Sequence, residues 1–140
     1  MTVGTLTMRT KLSLRAALLA LVSAIAVSTA TLAGPEDYEF QLLESEIKQG
    51  DGATLSVRLT DKRTDNPVVE AVVFATRMDM APDGMETMTT PVEAMLSDEP
   101  GVYRFRTNLT MAGGWRFSIA AKVQGEAETV ENRLIFKAVE

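Results

Sequence analysis

The sequence predicts an all-β domain: an immunoglobulin-like antiparallel β-sandwich of about seven strands, preceded by an N-terminal signal helix. Three observations predict it. Apolar and polar residues alternate with period two through most of the chain beyond the first apolar stretch. Gly, Pro, Asn and Asp clusters separate the alternating runs. No helical period of useful length follows the first apolar stretch.

The runs come in order. Tyr38, Phe40 and Leu42 alternate with Glu39 and Gln41. Leu55, Val57 and Leu59 alternate with Thr54, Ser56, Arg58 and Thr60. Val68 to Thr76 is rich in β-branched residues, and Val92 to Leu96 is a shorter candidate. Val102 to Arg106, Trp115 to Ile119 and Leu134 to Ala138 complete the set. Side chains two apart on a strand share a face, so each run has one buried side. Gly50-Asp51-Gly52, Asp65-Asn66-Pro67, Glu99-Pro100-Gly101, Ala112-Gly113-Gly114 and Gln124-Gly125-Glu126 supply the turns between them. Trp115, Phe117 and Ile119 are expected to bury against Tyr103, Phe105 and Phe74 between the sheets. Each such side chain stabilises by roughly 1.5–3 kcal/mol when fully buried. Arg104, Arg106 and Arg116 fall on the faces expected to meet water.

Residues 1–33 are set apart. Met8 to Arg15 carries Arg9, Lys11 and Arg15; Ala16 to Val27 is apolar; small residues follow up to Ala33. This is the three-part pattern of a secretory signal peptide, with cleavage after Ala33 or Ala30. Met8 offers a second start beside Met1. The alternative is an uncleaved anchor, but the apolar core of about 12 residues is short of the roughly 20 a bilayer needs. The expected division is therefore a signal over 1–33 and a sandwich domain over 34–140. The expected location is the periplasm, or the inner membrane facing the periplasm if the signal stays.

Charge and missing residue types exclude several functions. The 140-residue chain has a formal net charge of −5 and neither His nor Cys. Losing Arg9, Lys11 and Arg15 takes the net charge to about −8, which repels nucleic acid and anionic lipid. Without Cys no disulfide can staple the fold, although exported domains often use them. Some 107 residues remain, about enough for one autonomous core. Thiolate nucleophiles, His bases and His metal ligands are absent. No Gly-rich phosphate loop or nucleophile elbow is present, so no enzyme is expected.

The densest chemistry lies between Arg77 and Met88. Four of the eight methionines, Met78, Met80, Met85 and Met88, sit here around Ala81-Pro82-Asp83-Gly84. Met78 and Met80 are two apart and share a strand face; Met85 and Met88 follow the bend. Thioethers are soft ligands that select Cu(I), and they need no deprotonation. These four are the candidate metal ligands. Methionine also fills irregular cores and adaptable docking surfaces, and packing alone accounts for Met95 and Met111. Asp79, Asp83 and Glu86 could draw a harder cation, but Asp83-Gly84 is an ordinary turn pair. Asp79, at a strand end, is expected to be solvated, and no EF-hand spacing is present.

Several pieces in order resemble the FixH/YtkA-like family. They are Asn66-Pro67-Val68 with Val72-Val73-Phe74, then Met78-Asp79-Met80-Ala81-Pro82-Asp83-Gly84-Met85. Pro100-Gly101-Val102-Tyr103-Arg104-Phe105 and Met111-Ala112-Gly113-Gly114-Trp115 follow. The resemblance covers about residues 36 to 138. It implies an exported β-sandwich linked to copper handling, beside heavy-metal efflux pumps or in the assembly of copper-containing cytochrome oxidases. Under it, Met78, Met80, Met85 and Met88 hold Cu(I), and Trp115 offers a cation–π neighbour. The implied partner is a periplasmic or membrane protein of a metal efflux or oxidase assembly system. The rival expectation is an interaction module whose Met-rich loop docks on such a subunit without metal.

Overall fold

The computed structural model describes Gly4 and residues 34–140; the expected signal therefore lies outside the described residues. Ten strands form two sheets with no α-helix among the described residues. They are β1 (Tyr38–Leu42), β2 (Glu46–Lys48), β3 (Gly50–Asp61), β4 (Asn66–Pro67), β5 (Ala71–Met80), β6 (Met85–Thr90), β7 (Val92–Met95), β8 (Val102–Leu109), β9 (Gly113–Val123) and β10 (Thr129–Val139). One sheet runs β1-β3-β8-β7, with β4 on the end of β3; the other runs β2-β10-β9-β5-β6. The expected β-sandwich is therefore present.

Each expected run contains a strand, although Val68–Glu70 stays outside β5; β2, β4 and β6 are additional. β4 is only Asn66–Pro67, on the edge of β3, a place where Pro loses no needed hydrogen bond. β2 joins β10 in the one parallel pairing, which the alternation could not foretell. Gly50-Asp51-Gly52, expected as a turn, opens β3 through a bulge between Gly50 and Ala53.

The core follows from the alternation. Phe40, Leu55, Val57 and Leu59 face inward from the first sheet, and Trp115, Phe117 and Ile119 from the second. Phe105 of β8 and Phe117 of β9 join the layers with ring centroids 5.1 Å apart. Trp115 has no solvent exposure, and its indole N–H donates to the Met111 carbonyl at 3.0 Å. A buried indole without that acceptor would carry a desolvation cost of about 1–3 kcal/mol.

Chain direction decides where the sandwich is closed. β6 ends at Thr90 and β7 begins in the first sheet at Val92, with Pro91 alone between them. This crossing covers one end of β5 and leaves the other end at a free edge.

Candidate functional site

β5 is the element that arranges the predicted site, and a single residue sets its facing. Val73 pairs with Ala121, but Ala75 pairs with Ala120, so Phe74 is an extra residue opposite none. Such a bulge reverses the in–out alternation beyond it. Before it, Ala71 and Val73 point inward; after it, Thr76, Met78 and Met80 do. Phe74 itself is 56% exposed. The expectation that Phe74 packs with Trp115 is thus corrected: the bulge turns it to solvent.

Met78 and Met80 have no solvent exposure and belong to the same core cluster as Trp115 and Phe117. Met78 lies opposite Phe117 in the ladder. Across the bend, Met80 lies directly opposite Met85. The next pair is Asp79 with Thr89, so Glu86, Thr87 and Met88 form a three-residue excursion on β6. Met85 and Met88 are half-buried and pack against the cluster. The structure therefore brings all four methionines to one end of the core, two as sealed interior side chains and two as its lid.

The bend is tightly made. Ala81–Asp83 is a single 3-10 turn ended by Gly84 at φ 75°, a left-handed conformation that favours glycine. The Asp83 carboxylate accepts from the Gly114 amide at 3.0 Å, which clasps the turn to β9. Gly113 has φ 134°, and a Cβ there would collide with the same carboxylate. Gly113 and Gly114 are thus required by the clasp, where sequence reading showed only a turn.

Asp79 departs most from expectation. It faces away from Met78 and Met80, yet it has no solvent exposure. Its Oδ2 accepts from Arg77 Nε and Arg116 Nη2, each at 3.0 Å, and its Oδ1 accepts from the Ala81 amide at 2.9 Å. Burial pushes its pKa up; the Arg116 hydrogen bond, the Ala81 amide and Arg77 outweigh that and hold it below the usual aspartate value. Arg116 also reaches Glu86 at 3.4 Å, and Arg77 donates to the Glu86 carbonyl at 3.0 Å. Arg116, expected as a surface charge, is the second wall of this network and only 22% exposed. Of the acids near the methionines, Asp79 and Glu86 are held by arginines and Asp83 by the Gly114 amide. Among the described residues no group of three Asp or Glu gathers to hold a metal.

Sequence reasoning missed a second region. Between the β5 edge and β7 a cavity of about 660 Å³ opens, lined in part by Val69, Val73, Ala94, Met95, Leu96 and Phe105. Two of its lining residues are large, exposed apolar side chains: Leu96 is 95% exposed and Val69 58%. Isolated exposed apolar residues are ordinary, whereas a contiguous group around a concavity marks an interaction site. The signal available was the apolar run Val68-Val69 with Val72-Val73-Phe74, too apolar for a strand with one wet face.

A sequence model described as YtkA-like matches residues 32–120. Among curated proteins none matches the chain. Among solved structures, the chain is similar to the C-terminal domain of ZirS, at 16% identity over 83% of this chain and 75% of that one, with a TM-score of 0.46. It is also similar to a conjugative transposon lipoprotein from Bacteroides eggerthii DSM 20697, at 11% identity over 71% and 96% of the two chains, with a TM-score of 0.34.

Proposed function

The chain belongs to the YtkA-like family, and from that premise we propose that it is a non-enzymatic, exported domain that works by docking onto a membrane or periplasmic protein. The docking surface is the open flank between β5 and β7, not the methionine turn. The observation that carries this reading is the apolar cavity bordered by Val69 and Leu96, both largely exposed. Apolar area of this kind is costly to leave in water and is recovered on contact, at roughly 25 cal/mol per Å². Export is supported by the charged, apolar and small-residue order of residues 8–33.

A photocrosslinking residue placed at Val69 or Leu96 in the exported protein tests the docking surface. Discrete adducts with one membrane or periplasmic protein are expected there, and none from the same residue at Lys48 on the far sheet edge. Equal adducts from all three positions, or none, would overturn the reading.

One observation favours a second reading, in which the same domain holds Cu(I). Met78, Met80, Met85 and Met88 gather on one cluster in a chain that has neither Cys nor His. Met85 and Met88 would receive the ion, and Met78 and Met80 would complete its shell once the β6 excursion opened. Burial weighs against it. A cation between the sheets would need a counter-charge, and Asp79 faces away and is already bound to two arginines. Titration with Cu(I) separates the readings: stoichiometric uptake abolished by the combined Met78→Leu, Met80→Leu and Met85→Leu variant establishes the metal site. No uptake leaves these residues as packing.

A further inference from the structure

We propose that the open flank is completed by an added β-strand, supplied by a partner segment that alternates apolar and basic residues. This rests on the docking reading and names the chemistry of its partner.

Two strand edges border the cavity. Only Met78, Asp79 and Met80 of β5 pair with β6, so Ala71 to Arg77 has no strand on the side away from β9 among the described residues. β7 pairs with β8 and has no strand on its other side. Unpaired edge N–H and C=O groups are a template for an extended chain, and natural sheets cover or blunt them unless they are used. The Ala71 amide already donates to the Tyr103 hydroxyl, so the free edge runs from Val72 to Arg77, about 20 Å at a strand's rise. That suits a segment of about six residues. A helix, roughly 10 Å across with its own backbone bonds satisfied, would leave both edges unpaired.

The side chains specify the alternation. An added strand turns every second side chain inward, toward Val73, Ala94 and Phe105, where apolar residues fit. Its other side chains point to solvent, and there the rim is acidic. Asp98 and Glu99 line the cavity against a single cation, Arg104. Basic residues on the outward positions complement this rim and speed association. The same acids argue against a second copy as the occupant: its own Asp98 and Glu99 would come against them, within a chain already at −5. The bulge at Phe74 breaks the free edge into two short runs, which limits sliding and stacking of strands while leaving room for one short segment.

The test uses the exported protein and capped eight-residue peptides, followed by amide exchange and calorimetry at low salt. A peptide alternating valine and lysine should bind saturably and slow exchange along Val72–Arg77 and Val92–Met95. The valine–glutamate peptide should bind at least tenfold more weakly, and a valine–lysine peptide with a central proline should not bind. The exposed pair Asp98→Lys and Glu99→Lys should reverse the preference between lysine and glutamate. Equal binding of both peptides, protection elsewhere, or no binding would overturn the strand. If the strand fails while Val69 and Leu96 still give discrete crosslinks, docking stands with another occupant; if both fail, docking falls as well.

Discussion

The two halves of β5 obey different rules, although they are one strand. Thr76 to Met80 is flanked by β9 along its length and by β6 at its end, and sends Met78 and Met80 into a sealed core. Ala71 to Phe74 is flanked by β9 alone and leaves Val72 and Phe74 in water. The sequence of the exposed half is the more apolar of the two. Hydrophobicity therefore does not decide which half is interior; the bulge and the reach of β6 do.

The sharpest way to break this contrast is a charge on each side of the bulge. Met78→Asp places a carboxylate between the sheets with no partner, which costs several kcal/mol against a typical total of about 5–15. We expect it to be largely unfolded at 25 °C. Phe74→Asp, four residues earlier, should shift stability by no more than about 0.5 kcal/mol. Urea unfolding of both checks this, and equal losses would mean that the bulge does not set the facing.

Next in size is truncation. Met80→Ala removes a buried side chain and should cost about 2–5 kcal/mol, whereas Val72→Ala should stay within about 0.5. Both follow from the same melts. If Val72→Ala cost as much as Met80→Ala, the free edge would already be covered in solution.

Asp79→Asn probes the outer face of the buried half. It leaves Arg116 without its main partner and should cost about 2 kcal/mol, less than a fully buried pair because Arg77 is half exposed. The pH dependence has a definite sign. The folded pKa of Asp79 is lowered, so its contribution is fully present above the unfolded value, near 3.9. It is lost as pH falls through the folded value. Wild type should therefore lose stability below about pH 4 more steeply than Asp79→Asn, as urea midpoints across pH 2–6 would show.

The smallest effect sharpens the question of packing against ligation. Met78→Leu keeps volume and apolarity and should cost less than about 1.5 kcal/mol. Stability then stays near wild type whether or not copper binds, so any loss of Cu(I) uptake in that variant reports ligation and not unfolding.

Much of this architecture could be read before any coordinates. Alternation placed Trp115, Phe117, Ile119 and Phe105 inward, and all four are buried. It failed at Phe74 because a bulge is a property of two paired strands, and one strand's residues do not announce their partner's count. It failed at Asp79 because the cover comes from Arg77 and Arg116, which are near in space only after β5 and β9 pair. The methionines were found as a group for a sound reason: turn chemistry between two runs folds them together. Their depth was not legible, since it follows from the facing that Phe74 sets. The open flank escaped notice because an unpaired edge is defined by a neighbour that is missing.

One hydroxyl gives the flank a further property. The Tyr103 phenol donates to the Val68 carbonyl at 2.8 Å and accepts from the Ala71 amide at 3.1 Å. It therefore pins the chain just where it enters β5, and the rim of the cavity has its shape before anything arrives. A visitor to that rim meets a surface already ordered and spends its binding energy on contact instead of on immobilising loops. Tyr103→Phe should leave the fold standing but slow capture, with arrival rate, more than residence time, recording the loss.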